Sequence, residues 1–471
     1  MGHLRFPILL FCTLLASLQS RAQDRLPLIQ SEYMPFLSAE FNPALAVDPK
    51  VYLSIHLAGA NMFALNDLAF YEGKRFNLPD LFSGRLKDSD ENLASYAKSA
   101  TMDVRIEGPA AYLSVGLSSF GISTRIRNHF YARDVAPELS RFVFHGFRFS
   151  PQYDQAYKGD GSIASFMSWG ELELTWAHMV RLTEKDHLNF GIGLKRLYGL
   201  GHVGLNIDAM DFRVTSQDIF INDFSGSYAV SDFTFRGGNG WGTDLGAVYK
   251  RMKNGRPDYI PFNAKSSCRQ SAYKYMVGLS ITDLGRVNFK TNAFKTNTSL
   301  ADVVWLDYIN TEVSELEQLD SLLQVRVEND QNITTRESSY KVKLPRAINI
   351  HGDYDFEKGI HLSAAMVLPW KGAKEFDLAR ASSFSVTPRY VRKIMEVGLP
   401  LSLVNYDTFR VGLGLRFQYF YLGSDDLFRL FDGEDVYGTD LYVGMHIPIY
   451  SSKSCGSSSN KRNLIAPCWG Q

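Results

Sequence analysis

The chain has 471 residues, with 50 basic and 50 acidic side chains and no formal net charge. That balance gives no electrostatic case for nucleic acid, and a single soluble core rarely grows to such a length. Its 32 Phe, 24 Tyr, 6 Trp and 37 Gly lean toward β-structure.

Residues 1–22 read as a secretory signal peptide. Arg5 makes a short basic start, PILLFCTLLASL is the apolar run, and Ser20-Arg21-Ala22 supplies small residues at −3 and −1 of a cleavage site. The run falls well short of the ~20 residues a spanning helix needs. Cys12 lies inside it, in a context unlike a lipidation site. The mature chain is expected to begin near Gln23. No other stretch is long and apolar enough to span as a helix, so any membrane crossing is by strands.

Residues 23–50 lack periodicity and contain FNPALAVDP. From residue 51 the chain alternates. Val51, Leu53, Ile55 and Leu57 oppose Tyr52, Ser54, His56 and Ala58; Leu113, Val115 and Leu117 oppose Ser114, Gly116 and Ser118. The pattern recurs in 188–195, 203–209, 275–281, 348–356, 411–421 and 441–449. Each is a strand with one apolar face and one polar or glycine face. A sandwich would show the same rule. Three details favour a membrane barrel: runs of about 8–12 residues, a second face of Gly, Ser, Asn, Arg and Asp that suits a lumen, and aromatics near strand ends. Those aromatics are Trp169, Trp176, Phe233, Phe235, Tyr419, Phe420, Tyr421 and Tyr450.

The fold expected is all-β: a closed antiparallel transmembrane β-barrel of about 14 strands over residues 51–450, with an N-terminal hatch at 23–50. Residues 71–100, 128–170, 250–272 and 292–340 read as long polar loops, with an amphipathic helix at 313–325. A Ser-rich tail follows at 451–471. Cys268, Cys455 and Cys468 remain after cleavage; Cys455 and Cys468, both in the tail, could form a disulfide.

Motifs for chemistry are sparse. GLGHVG (199–204) has dinucleotide-fingerprint spacing but precedes another alternating run rather than a helix, so it reads as a glycine-rich hairpin. GGNGWG (237–242) reads as a turn. Asp425-Asp426 and Glu434-Asp435 read as solvated loop charge more readily than as a calcium site. Asp103, Arg105 and Glu107 on one strand, Arg125 and Arg127 on the next, and Arg416 near the end are expected to face the lumen and cross-pair there. No nucleophile, acid–base pair, metal set or cofactor motif emerges, so an enzyme is not expected.

SAEFNPALAVDP followed by an alternating strand resembles the FadL-like outer-membrane transporters, which carry an Asn-Pro-Ala turn in a luminal hatch. The matching residues are Asn42, Pro43 and Ala44. YMVGLSITDLGRVNF (275–289), KLPRAINIHGDYDF (343–356) and the ending at 419–450 look like a related Bacteroidetes barrel family of unknown function. The resemblance implies an outer-membrane location and a channel or transporter for a small compound, hydrophobic compounds among the candidates, plugged by residues 24–48. Two alternatives stay open: a scaffold barrel for protein export or surface assembly, with protein partners at its loops and tail, and a soluble exported β-sandwich binding protein.

Overall fold

The computed structural model describes residues 25–72, 90–145, 149–256, 258–263, 272–306, 333–370, 375–404, 408–428 and 435–450. The signal peptide, the 313–325 helix, Cys268, Glu434 and the Cys455–Cys468 pair lie outside the described residues.

Fourteen antiparallel strands form one closed ring. They are β1 (Leu53–Asn66), β2 (Lys98–Val115), β3 (Ser118–Val135), β4 (Ala156–Arg181) and β5 (Asp186–Val214). Next come three interrupted strands. These are β6 (Ile219–Ser231 and Gly238–Met252), β7 (Tyr273–Phe289 and Ala293–Trp305) and β8 (Ile333–Glu337, Tyr340–Lys343 and Ala347–Asp355). The ring continues through β9 (Ile360–Pro369), β10 (Ser383–Val391), β11 (Met395–Gly398 and Leu401–Val404) and β12 (Thr408–Val411 and Leu413–Phe417). It ends with β13 (Phe420–Ser424) and β14 (Gly438–Ile449). Closure is made by β14 against β1, from Leu53 opposite Ile449 to Leu65 opposite Gly438.

The alternation in the sequence decides which face turns inward, and it does so in the reverse of a soluble protein. Leu174 is 57% exposed while its neighbour Glu173 is 1% exposed. Ile106, Ile122, Leu279 and Val443 likewise point out, and Ser54, His56, Asn189 and Asn349 are buried. A polar interior inside an apolar exterior is the pattern of a barrel whose surroundings are hydrocarbon.

One rim has the tight connections. Gly116, at φ +62°, begins the two-residue link between β2 and β3, where a side chain would be strained. Most of the long connections lie at the other rim, called upper here. There β4 to β8 rise past their neighbours into a tall wall, because the upper half of β5 pairs with the first segment of β6, which pairs in turn with the second segment of β7.

Several local expectations change. GLGHVG is not a hairpin: it lies mid-strand in β5, where a Cβ at Gly199 would fall 2.7 Å from Val287 Cγ1 and one at Gly201 would fall 2.3 Å from the Phe233 ring. Small residues are needed there for packing, not for a turn. Gly238–Gly242 lies likewise within a strand. Much of 128–170 and 292–340 is strand rather than loop, since polar strands above the apolar band carry no oily face to reveal them. Trp169 and Tyr421 are fully buried in the lumen rather than at an interface.

A cation on the outward face tests the lipid assignment. Leu174→Arg is expected to cost about 2–4 kcal/mol if its level is the bilayer midplane, measured by reversible unfolding in lipid vesicles. An unchanged stability would show that this face does not meet hydrocarbon.

Candidate functional site: a luminal hatch and its ionic seat

Residues 25–50 fold inside the barrel. They contain helix α1 (Pro35–Phe41) and a 3-10 turn (Pro43–Ala46), both almost wholly buried. Pro35 and Pro43 each occupy a first helical position, where a missing N–H costs nothing. The apolar side of the segment packs on the wall: Leu28, Met34, Phe36 and Leu37 join Tyr112, Met179, Tyr421 and Tyr442. Phe36 stacks on His56 with ring centres 4.4 Å apart.

Asn42-Pro43-Ala44 is the turn between the two helices. Asn42 Oδ1 accepts from Ala44 N at 3.0 Å and so caps the second helix. Its Nδ2 faces the wall, 3.2 Å from Ala247 O, 3.3 Å from Leu279 O and 3.0 Å from His351 Nε2. The preceding carbonyl, of Phe41, accepts from Ser280 Oγ at 2.5 Å and Asn349 Nδ2 at 3.0 Å. The turn comes this close because the wall is bare there. A Cβ at Gly246 would lie 2.0 Å from Asn42 Oδ1, and one at Gly191 would lie 2.3 Å from Pro43 C.

A second seat holds the other end. A Cβ at Gly414 would fall 2.4 Å from Pro27 Cβ, and one at Gly398 3.0 Å from it. Leu26 N donates to Asp425 Oδ2 at 3.1 Å. Asp426 lies 3.2 Å from Arg410 Nε, and both aspartates are buried. Asp425 and Asp426 are therefore not solvated loop charge. Among the described residues no three His, Cys, Asp or Glu side chains are grouped to hold a metal ion.

Between the seats lies a dense charge cluster. Glu40, on α1, bonds Arg25 at 2.6 Å, pairs with Arg125, and lies 3.8 Å from Arg105. Arg25 pairs in turn with Glu107. Arg125 also reaches Glu173, and Glu171 at 3.3 Å. Arg127 meets Asp283 at 2.9 Å and Glu171 at 3.3 Å and stacks 4.8 Å above the Trp169 ring. Lys195 bridges Asp244 at 2.8 Å and Asp283 at 2.7 Å. Asp103 takes Arg105 Nε at 2.6 Å and His129 Nδ1 at 3.0 Å.

The six charged positions singled out from sequence thus all lie on the luminal face, each at most 7% exposed. Their pairing differs from simple cross-strand partnership. Arg105 stands directly opposite Arg127, and Glu107 opposite Arg125, yet Glu107 bonds the hatch through Arg25 and Arg125 bonds it through Glu40. Arg416 sits apart, 3.3 Å from Glu396 and 4.3 Å above the Tyr33 ring. Ser31 Oγ donates to the same Glu396 at 2.6 Å.

Arg25, Glu40, Glu171, Glu173, Lys195, Asp244 and Asp283 were not foreseen. Glu171, Glu173 and Lys195 share the period-two polar face and could have been found by it. Asp283 could not, because its left-handed backbone, φ +60°, marks a register shift in β7 that breaks the alternation. Arg25 and Glu40 lie in a segment without any period.

Burial alone would raise the Glu40 carboxyl, but Arg125, Arg25 and Arg105 outweigh it and hold it down at about 2. Burial pulls the Arg25 guanidinium down, and Glu107 and Glu40 more than restore it. Asp48 is pushed up by burial, offset only in part by Lys250 and the 2.6 Å hydrogen bond from Tyr259.

The lumen is filled a second time above the cluster. Residues 375–382, between β9 and β10, fold inward, and Phe376 and Leu378 pack with Met167, Trp169, Leu197, Val287 and Phe289. His129 Nε2 lies 2.9 Å from Ala379 O, Ser165 Oγ donates to Phe376 O at 2.8 Å, and Lys343 meets Asp377 at 2.6 Å. Between the two fillings remains a cavity of ≈ 20 Å³ lined by Arg25, Glu40, Arg105, Arg127, Asp283 and Arg380 among others. That is room for one water.

Two substitutions test the docking. Glu40 has its carboxyl held below the unfolded value of 4.5, so the stability it lends is present above that value and lost as pH falls from about 4.5 toward 2. Exchange protection of the 25–50 amides is expected to fall across that window in the native protein; Glu40→Gln should weaken docking by about 3–5 kcal/mol and flatten that pH response. Gly246→Leu should expose the hatch to protease while the barrel keeps its heat-dependent gel shift. A hatch still fully protected in Gly246→Leu would refute the glycine seat.

Residues 43–425 match the model of a family of unknown function, DUF5723. No curated protein matches the chain. Among solved structures, the P. putida toluene transporter TodX is similar at 10% identity and a TM-score of 0.42, covering 88% of this chain and 94% of that one. The Ralstonia pickettii toluene transporter TbuX is similar at 9% identity and 0.39, covering 88% and 93%. A Pseudomonas aeruginosa FadL homologue is similar at 10% and 0.39, covering 87% and 92%. The barrel itself rests on its own strand pairing, not on these likenesses.

Proposed function

This chain belongs to DUF5723, a family of unknown function, and we propose that it is an outer-membrane channel of the FadL-like type, gated by residues 25–48 and passing a small compound. The observation that carries the reading is how the hatch is held. It is not a free linker: two proline seats, an ionic cluster and an apolar face fix it across the lumen. Yet much of that hold is polar, and when both partners of a buried ion pair return to water together, their rehydration offsets much of what the pair gained. The short connections at the lower rim fit the periplasmic side and the long ones the outer side. The apolar layer around Trp169, Phe289 and Phe376 is packed closed, and a solute with a hydrophobic part would meet it once residues 375–382 move aside.

A scaffold barrel serving export or surface assembly is the second reading. The double filling of the lumen favours it, since a pore that never opens needs no exchangeable plug. Solute-driven swelling of liposomes carrying the barrel separates the two. Deleting residues 25–48 is expected to raise the swelling rate several-fold, with the gel shift on boiling confirming an intact barrel. An unchanged rate in that variant, and again when residues 376–381 are removed as well, would remove the gate and leave the scaffold, which crosslinking to a stable neighbour would then support.

A further inference from the structure

Above the inward-folded 375–382 segment, the tall wall carries a ladder of amides and hydroxyls. Asn206 on β5 stands opposite Ser227 on β6, Ser227 opposite Asn297 on β7, and Asn297 opposite Thr335 on β8. Residues directly opposite across strands share a face, so this is one row crossing four strands. A second row follows with Ser225 opposite Ser299. The face is the luminal one: Gly204, two residues before Asn206, lies against the Phe376 ring, which a Cβ there would approach to 2.5 Å.

These rows floor an open groove of ≈ 370 Å³ lined by Asn, Ser and Thr side chains and by Gly226, so that amide and hydroxyl groups stand among exposed Cβ, methyl and backbone carbon, a mixture that matches the hydroxyls and C–H faces of a sugar. Asp208 and Glu375 complete it. Asn206 donates to Asp208 at 2.9 Å, Asn297 to Thr335 at 3.3 Å, and Lys295 meets Glu375 at 2.8 Å. The side chains are thereby oriented, and each amide and hydroxyl keeps acceptor or donor capacity to spare.

We propose that this groove is a binding site for a neutral polyhydroxylated group, as in a free sugar or the headgroup of an alkyl glycoside. The chemistry follows from what lines it. Amides and hydroxyls recur at the ~4.7–4.9 Å spacing of neighbouring strands, comparable with the distance across a sugar ring, and offer donors and acceptors together. Carboxylates at the margin accept from hydroxyls and repel anions, and Lys295 beside them is engaged by Glu375. A wholly apolar molecule would strip water from these groups and return no hydrogen bonds. Glu375 begins the 375–382 filling, so a ligand in the groove touches the upper closure of the lumen.

The inference shares only the lumen with the channel reading. It is tested by binding rather than transport, so the two can fail separately. The full barrel in lipid nanodiscs is titrated with maltose, octyl maltoside below its micelle concentration, gluconate and toluene, followed by saturation-transfer NMR. Maltose or octyl maltoside is expected to saturate the site, gluconate to bind at least tenfold more weakly, and toluene not to compete. Equal affinity for the two maltosides points to a free sugar; tighter octyl maltoside points to a headgroup. Asn206→Leu with Asn297→Leu should weaken binding at least tenfold, and the nearly isosteric Thr335→Val several-fold, both with the gel shift retained. No saturable binding of either maltoside, binding untouched by both variants, equal binding of gluconate, or competition by toluene would each overturn the site.

Discussion

Backbone amides cannot be left unpaired in hydrocarbon, and the rest of this structure follows from that constraint. A sheet in lipid must close on itself, and here β14 returns to β1 to do so. Closure then fixes the side chains. One face of every strand meets lipid and the other meets the lumen, so the polar half of the alternation is driven inward. A ring of fourteen strands is too wide for its own side chains to fill. The interior is therefore occupied by chain from elsewhere, residues 25–50 below and residues 375–382 above.

The lower filling uses a device that is poor at maximising stability. Taking Glu40, Arg25, Arg125 and Arg127 out of water is costly, and well-packed apolar residues often do as well or better in such places. What an ionic seat supplies is discrimination. Glu40 bonds Arg25 and Arg125 and lies close to Arg105, so a hatch shifted by one helical turn would leave guanidinium groups buried without a counter-charge. The same arrangement gives a docked state that depends on charge, whereas an oily hatch would hold equally under all conditions.

The barrel was legible because period-two alternation is local and survives in every strand that meets the membrane. Leu188 to Leu194 declares its faces without any three-dimensional knowledge. The tall wall was not legible, because strands such as Ile219–Ser231 and Ala293–Trp305 rise beyond the apolar band and need no oily side. The luminal charges on β2 and β3 could be read from their parity, but their partners could not. Glu107 finds Arg25 and not the Arg125 opposite it, because the chain inserted between them is fixed by packing distant in sequence. The Asn-Pro-Ala turn was visible as residues. Its reason, bare glycine at Gly191 and Gly246 on strands some 150–200 positions away, was not.

The two proline seats differ in what they can do. Pro43 rests on β5 and β6, and Pro27 on β11 and β12, six strands round a ring of fourteen and so nearly across it. The segment continues covalently into β1 through Lys50, whose N–H donates to Glu32 O at 2.7 Å. Pro43 is thus ten residues from the start of β1, while the stretch around Pro27 is held by non-covalent contacts: its glycine seat, the Asp425 hydrogen bond, the Arg25 pairs with Glu107 and Glu40, the Ser31–Glu396 hydrogen bond and the packing of Leu28. Loss of those contacts frees the far half of the hatch while Asn42 still caps its turn against the wall. Release at the Pro43 seat first would instead demand breaking the Phe41 and Asn42 hydrogen bonds with both ends still tethered. Were the lumen gated as proposed, this tethering would favour release of the β11–β12 side before the β5–β6 side, with the Asn-Pro-Ala turn acting as the hinge rather than the latch.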